Sequence, residues 1–359
     1  MTEWKEYKLG EIVTFQRGHD LPKDRMIDGD IPVAGSNGII GYHNQFTKEG
    51  PGVTIGRSGN IGIPHYYPNA YWAHNTVLYI VDFKGNDAKF MYYLLKTFDF
   101  TQLNTGSAVP SLNRNHIHEL PVSIPDVPTQ RRIAAVLSSL DDKADLLRRE
   151  NATLEQLAET LFRQWFVAEA KEEWVEKPLS SIATFLNGLA CQKYPPKNEI
   201  DKLPVLKIRE LSSGIGNDSD WATTDVGREY IVHAGDVIFA WSASLMVKIW
   251  DGEDCILNQH LFKVTSERYP KWFYYFWCKH HLDEFISIAQ SHATTMGHIK
   301  RNDLDTARVL VPTDDELKMM SEQMDNVLQK IETNNKQILT LVQTRDGLLP
   351  RLMGGEVKL

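Results

Sequence analysis

Cysteine is scarce: Cys191, Cys255 and Cys278 are the only three in 359 residues, with no Cys-x-x-Cys spacing. That count excludes a disulfide framework and a thiolate metal knuckle, and reduced packing thiols are expected. Long apolar runs are missing too. No stretch approaches the roughly 18 residues of a membrane-spanning helix. The opening MTEWKEYKLGE has no apolar core of a secretory signal, so a cytoplasmic protein is expected. Nor is there an excess of basic charge: the net charge is −8. Residues 1–126 carry 11 Lys and Arg against 13 Asp and Glu, and residues 172–312 carry 15 against 19. Any contact with a polyanion must therefore come from a local patch. Catalytic motifs are absent as well. Tyr194-Pro-Pro-Lys lacks the amide or carboxylate of an amino-methylating site, and Gly214-Ile-Gly216 alone is a turn signal rather than a phosphate loop. No Gly-x-Ser-x-Gly elbow or His-Glu-x-x-His occurs. His74, His116, His118, His260, His292 and His298 lack ligand spacing, and no metal is expected.

What is present is a duplication. Trp4-Lys-Glu-Tyr-Lys-Leu-Gly-Glu-Ile-Val-Thr-Phe returns 170 residues later as Trp174-Val-Glu-Lys-Pro-Leu-Ser-Ser-Ile-Ala-Thr-Phe. Met91-Tyr-Tyr returns as Phe273-Tyr-Tyr at an offset of 182, and the stretch from Ile133 to Trp165 returns as Met320 to Leu352 at 187. The growing offset places variable loops early in each half and leaves the helical part locked in length. Each half reads as short strands and turns. Strands are expected at Ile31-Pro-Val-Ala, Gly52-Val-Thr-Ile, the run from Ala73 to Val81, Leu203–Ile208, Gly235–Ala240 and Leu261–Val264. Helices are expected over Asp87–Phe98 and Lys271–Ile288, and each half closes on a proline-bounded strand, Leu120–Pro125 and Ala307–Pro312.

Two long helices follow those strands. Ile133, Leu137, Leu140, Ala144, Leu147, Asn151, Leu154, Ala158, Leu161 and Trp165 alternate in steps of four and three, as do Met320, Met324, Val327, Ile331, Asn334, Ile338, Leu341, Arg345, Leu348 and Leu352. A heptad seam sustained this long predicts a coiled coil. A whole module separates the helices, so the simplest pairing is antiparallel. Full overlap sets Leu137 against Leu348, Leu154 against Ile331, Trp165 against Met320 and the two polar seam residues, Asn151 and Asn334, against each other. Two facing amides exchange hydrogen bonds, so this pair sets register and direction together. Arg345 falls opposite Leu140 and is expected to snorkel outward. The seam of 33 residues spans about 48 Å.

Polar side chains recur at matched places. Gln16-Arg17-Gly18-His19 precedes Gln192-Lys193-Tyr194 in chain order. Gly56-Arg57-Ser58-Gly59-Asn60 corresponds to Ala240-Trp241-Ser242-Ala243-Ser244. His74-Asn75-Thr76 corresponds to Asn258-Gln259-His260, and Thr105–Arg114 to His292–Arg301. Arg, Asn, Gln, Ser and Thr on loops are the side chains that read base edges and hold phosphates.

Several segments carry a resemblance. They are Ser111-Leu-Asn-Arg114 leading into Leu120-Pro-Val-Ser-Ile-Pro125, Gln130-Arg131-Arg-Ile133, Leu161-Phe-Arg-Gln-Trp-Phe-Val167 and Leu348-Leu-Pro-Arg-Leu-Met-Gly-Gly-Glu356. Together with the duplication, the chain resembles the specificity (S) subunits of type I restriction–modification enzymes over essentially its full length. The second half departs from that pattern at Thr294-Thr-Met-Gly-His-Ile299 and at Asp314-Asp-Glu-Leu-Lys-Met. The resemblance implies an α+β chain with two target-recognition domains, 1–126 and 172–312, and two helical spacers, 127–171 and 313–359. The spacers would form an antiparallel intramolecular coiled coil with pseudo-two-fold symmetry. It implies a subunit without catalysis of its own, in a bacterial or archaeal cytoplasm. Each domain would read one half of a split, asymmetric double-stranded DNA target. Two methyltransferase (modification) subunits and the restriction (motor-nuclease) subunits would dock on it, bringing S-adenosylmethionine, ATP and Mg²⁺, so no cofactor is expected on this chain. DNA contacts are expected from Arg17, Arg57, Asn60, Asn75, Asn113 and Arg114, and from Lys193, Lys207, Arg209, Gln259, His298, Lys300 and Arg301. Phe162, Trp165 and Phe166, aromatics near the coil ends, are candidates for meeting partner subunits, with packing inside the chain the favoured alternative.

Overall fold

The computed structural model describes residues 4–103, 111–216, 218–291, 297–357 and 359. The chain divides into two compact units, Met1–Ala144 with Thr340–Leu359, and Asp145–Leu339.

The first unit contains β1 (Lys5–Lys8), α1 (Leu9–Ile12), β2 (Thr14–Arg17), β3 (Ile31–Gly35), β4 (Gly38–His43), β5 (Gly52–Gly56), β6 (Pro64–Tyr67), β7 (Trp72–Ala73), β8 (Val77–Asp82), α2 (Ala88–Leu95), α3 (Arg114–His118) and β9 (Pro121–Ile124). α4 (Val127–Arg163) starts here and continues into the second unit. β2-β8-β5-β6 form one sheet, β4-β3-β7 another, and β1 pairs with β9. The alternation along β2, β5 and β8 turns Phe15, Ile55, Leu78 and Ile80 to one face. Phe90, Met91 and Leu94 of α2 join that core, with Ile133 and Leu137 of α4. Asp87 caps α2, its Oδ1 accepting from the Phe90 N–H at 2.9 Å. The helix is shorter than expected because Thr97 Oγ1 bonds back to the Leu94 carbonyl, at 2.7 Å, and a 3₁₀ turn follows at Phe100–Leu103. The run expected as one strand from Ala73 to Val81 is two strands, β7 and β8, with a tight turn at His74–Thr76. That turn closes with Val77 N donating to the His74 carbonyl.

The second unit repeats the order: β10 (Val175–Pro178), α5 (Leu179–Ile182), β11 (Thr184–Asn187), β12 (Lys202–Leu206), α6 (Ile208–Ser213), β13 (Trp221–Thr223), β14 (Ile231–Val232), β15 (Val237–Ala240), β16 (Met246–Ile249), β17 (Cys255–Leu257), β18 (Leu261–Thr265), α7 (Lys271–His280), α8 (Leu282–Ser291), α9 (Arg301–Thr306) and β19 (Arg308–Val311). α10 (Asp314–Met353) starts here and continues into the first unit. The sheet β11-β18-β15-β16 matches β2-β8-β5-β6, the sheet β13-β12-β17-β14 stands beside it, and β10 pairs with β19. The helix expected over Lys271–Ile288 breaks between α7 and α8. There the His281 ring bridges Glu284 (3.0 Å) and the Arg308 carbonyl of β19 (2.9 Å). All three cysteines are buried and unbridged.

α4 and α10 run antiparallel. In the second unit Asn334 Nδ2 donates to Asn151 Oδ1 at 2.8 Å, while nearer the start of α10 Glu316 bonds Lys171 and Trp174. The amides do not exchange reciprocally. Asn151 Nδ2 turns to Asn335 Oδ1 (2.6 Å), Asn334 Nδ2 also reaches Glu150 (3.1 Å), and Asn334 Oδ1 is buried without a partner among the described residues. In the first unit Arg345 corrects a second expectation. It does not snorkel outward, because Asp141, one residue beyond Leu140, offers a carboxylate: Arg345 Nη1 donates to Asp141 Oδ1 at 2.7 Å, and Tyr93 OH donates to Asp141 Oδ2 at 2.6 Å. Burial first, then that bond to Asp141, pushes the Tyr93 phenol up.

For Phe162, Trp165 and Phe166 the structure takes the favoured alternative, packing inside the chain. Phe162 and Phe166 are buried and Trp165 is half-buried, because the end of α4 packs into the aromatic core of its own unit. Phe162 stacks on Phe276 at 5.7 Å, Trp165 meets Trp272 at 6.0 Å, and Phe166 meets Phe273 at 5.7 Å. Their apolar surface is spent inside the second unit, leaving Phe162 and Phe166 none to offer a partner subunit.

Candidate nucleic-acid interface

In the first unit the ends of four segments are sewn together. Beyond β2, Gly18 N donates to the Val77 carbonyl (3.0 Å) and His19 N to the Ala73 carbonyl (2.8 Å). The chain thus crosses the turn at His74–Thr76 so closely that a Cβ on Gly18 would lie 1.9 Å from the His74 carbonyl oxygen. Beyond β5, Arg57 N donates to the Thr76 carbonyl (2.8 Å), and the Arg57 carbonyl accepts from Leu112 N (2.9 Å). Arg17, Arg57, Asn75 and Asn113 are therefore held in one loop cluster by backbone bonds alone.

Side chains complete it. Asn75 Nδ2 donates to Asp20 Oδ1 at 2.5 Å, His74 Nδ1 lies 3.0 Å from Thr76 Oγ1, and His19 Nε2 lies 3.1 Å from Tyr79 OH. Burial draws the His74 imidazole below its ordinary value, so it is neutral at pH 7 and able to donate from one ring nitrogen and accept at the other. Asn113 serves as the N-cap of α3, accepting from Asn115 N at 2.9 Å. Arg114 is the first helical residue and is exposed, as are Arg17 and Asn60.

The second unit repeats the stitching bond for bond. Gly188 N donates to the Leu261 carbonyl (3.1 Å), Leu189 N to that of Leu257 (2.9 Å), Trp241 N to that of His260 (3.3 Å), and Ile299 N to that of Trp241 (3.1 Å). Isolated bridges repeat as well: His19 with His74 and Ser58 with Ser111 in one unit, Leu189 with Asn258 and Ser242 with His298 in the other. A Cβ on Gly188 would lie 2.3 Å from the Asn258 carbonyl oxygen. Beside these loops opens a concavity of about 380 Å³ lined in part by Gln192, Lys207, Arg209, Ser242 and Gln259. Lys207 and Arg209 reach it with acids already attached. Lys207 pairs with Asp220 and, by that bond, holds its carboxyl below the usual range. Arg209 pairs with Glu210 at 2.7 Å. Lys193, exposed like Gln192 before it, ends a short 3₁₀ turn. Lys300 and Arg301 open α9, both exposed, and the His298 ring lies 6.3 Å from that of Trp241.

The structure thus gathers Arg17, Arg57, Asn75 and Asn113 in one cluster, and Lys207, Arg209 and Gln259 around one concavity. Residues 105–110 and 292–296 of the fourth matched segment lie outside the described residues. The sequence reading named Gly18 and Trp241 only as members of matched segments, without a role, and passed over Gly188 and Asn187. The signal was available, since Asn187 stands 170 residues after Arg17 and Trp241 stands 184 after Arg57. Among the described residues, no group of three or more His, Cys, Asp or Glu could hold a metal ion. No described helix is long and apolar enough to cross a membrane.

Comparison with known proteins bears on this arrangement. The family model described as "Type I restriction modification DNA specificity domain" matches residues 1–156 and 171–343. The type I restriction enzyme MjaIX specificity subunit of Methanocaldococcus jannaschii is 25% identical over 310 residues, covering 78% of this chain and 71% of that protein. The HindI specificity subunit of Haemophilus influenzae is 19% identical, covering 99% of this chain and all of that one. Among solved structures, the S subunit of a type I restriction–modification system from M. genitalium superposes with a TM-score of 0.62 at 14% identity, covering 98% of this chain and 96% of that one.

Proposed function

Because the chain belongs to the type I restriction–modification DNA specificity family, we propose that it is the subunit that gives such an enzyme its DNA sequence. Each half reads one part of a bipartite, asymmetric double-stranded target. The antiparallel helices set the length of the unspecified spacer and dock two modification subunits, which the restriction subunits join. The chain carries out no reaction itself; S-adenosylmethionine, ATP and Mg²⁺ belong to those partners. One observation carries this reading: four loops meet in each half through the same backbone bonds, while the side chains they display differ. A conserved frame with variable polar fingers is what reading two different half-sites requires. The domain limits 1–126, 127–171, 172–312 and 313–359 follow from it.

The test is methylome sequencing of cells that carry the modification partner with and without this chain. Methylation confined to one bipartite motif and lost with the chain supports the reading, and an unchanged methylome overturns it.

A further inference from the structure

Resting on the reading of each half as a DNA-recognition module, we infer that the halves use unlike chemistry at one matched place. Arg17 and Arg57 form an open guanidinium pair that takes the acceptor edge of a guanine, whereas at the matched place Asn187 and Trp241 bond to each other and offer no guanidinium fork.

The placement follows from strand register. Arg17 stands opposite Leu78, and Leu78 opposite Ile55. Directly opposed residues share a face, and Arg57 lies two residues beyond Ile55, so both arginines rise from one face. In the second half Asn187 stands opposite Phe262, Phe262 opposite Phe239, and Trp241 lies two residues beyond Phe239. The two pairs are therefore equivalent, as the shared backbone bonds of Arg57 and Trp241 also require.

Their chemistry is opposite. Trp241 Nε1 donates to Asn187 Oδ1 at 3.0 Å, and its ring stacks on Phe262 at 5.6 Å. An indole has one donor, and this one is already used, which leaves the pair only the amide donors of Asn187. Arg17 and Arg57 form no ion pair among the described residues, and the one hydrogen bond from the Arg57 guanidinium is a long 3.5 Å contact to the Asn75 carbonyl. Burial, and then the charge of Arg17, press the Arg57 guanidinium below its ordinary value. An acceptor pair relieves that strain. Guanine O6/N7 and a phosphate share this chemistry. The base is favoured because Arg57 is clamped on both sides by backbone bonds, which suits a bidentate fork, whereas exposed Arg114 suits a phosphate.

The experiment is methylome sequencing with the full chain and its modification partner, for wild type, Arg17→Gln, Arg57→Gln and Arg57→Lys, alongside binding of wild-type and Arg57→Gln chains to the target duplex across a salt series. In the wild type, the half-site read by the first module must contain a G·C pair. Arg57→Gln should relax that position, cutting the preference for guanine by about 5- to 150-fold. Arg57→Lys should keep part of it, and Arg17→Gln should weaken the same position. A first half-site without a G·C pair overturns the inference. So does an unchanged motif in both Arg→Gln variants, as does a uniform loss on all DNAs with a salt slope about one unit shallower, which marks a phosphate contact. Failure of the underlying reading looks different: the wild type itself would direct no bipartite methylation.

Discussion

Replacing Asp141 by alanine should destabilise the protein by about 3 kcal/mol. The carboxylate accepts from Arg345 Nη1 at 2.7 Å and from Tyr93 OH at 2.6 Å, and the Arg345 side chain is only 15% exposed. Losing a charge-assisted bond costs about 1.5–3 kcal/mol, and orphaning the Tyr93 hydroxyl costs about 1 more. Arg345 keeps its bond to Asp346 (2.7 Å), so the full 3–5 kcal/mol of a broken buried pair is not reached. The double variant Asp141→Leu/Arg345→Leu turns the site apolar and should return to within about 1 kcal/mol of wild type, because removing both charges also removes their desolvation cost. Urea unfolding of wild type, Asp141→Leu, Arg345→Leu and the double measures the coupling, which should be about 2–3 kcal/mol. Asp141→Ala costing under about 0.5 kcal/mol, or additive single effects, would refute the reasoning. The pair would then be one that water screens, as exposed ion pairs are.

Three further outcomes are expected. Gly18→Ala and Gly188→Ala should each cost about 1–3 kcal/mol of overpacking and abolish methylation of the bipartite motif, since the new methyl strikes a carbonyl oxygen rather than a movable side chain; unchanged methylation in either would show that the crossing is not required. Asn151→Leu takes one of the two acceptors of Asn334 Nδ2, leaving only Glu150, and should lower stability by about 1–3 kcal/mol, whereas Asn151→Leu/Asn334→Leu should recover most of it; paired urea melts check this. Stability should also fall in acid through Glu316, whose carboxyl is lowered to about 2, first by its bond from Lys171. A lowered carboxyl stabilises above its ordinary value of 4.5 and loses that contribution as pH falls from 4.5 towards 2. After solvent screening the loss should be about 1–2 kcal/mol, and Glu316→Gln should flatten the slope over that window in urea melts; an equal slope in both chains refutes it.

The repeat, the two long helices and their direction were legible in the sequence because each rests on local periodicity. A heptad seam keeps its stripe whatever surrounds it, and two asparagines interrupting two stripes at matching depth find each other by arithmetic. The hydrogen bond from Asn334 to Asn151 is the physical form of that match. The four matched loops were visible as offsets, but their meeting was not, because it depends on carbonyls at Val77, Ala73 and Thr76 that carry no side-chain signature. What only the tertiary structure decided are the choices among competing neighbours. Arg345 took Asp141 instead of water, Phe162 and Phe166 took the aromatic core of their own half, Lys207 took Asp220, and Trp241 closed on Asn187 where Arg57 stayed open. Periodicity along a chain determines which residues share a face. Which polar or aromatic group satisfies which is settled by contacts between residues distant in sequence.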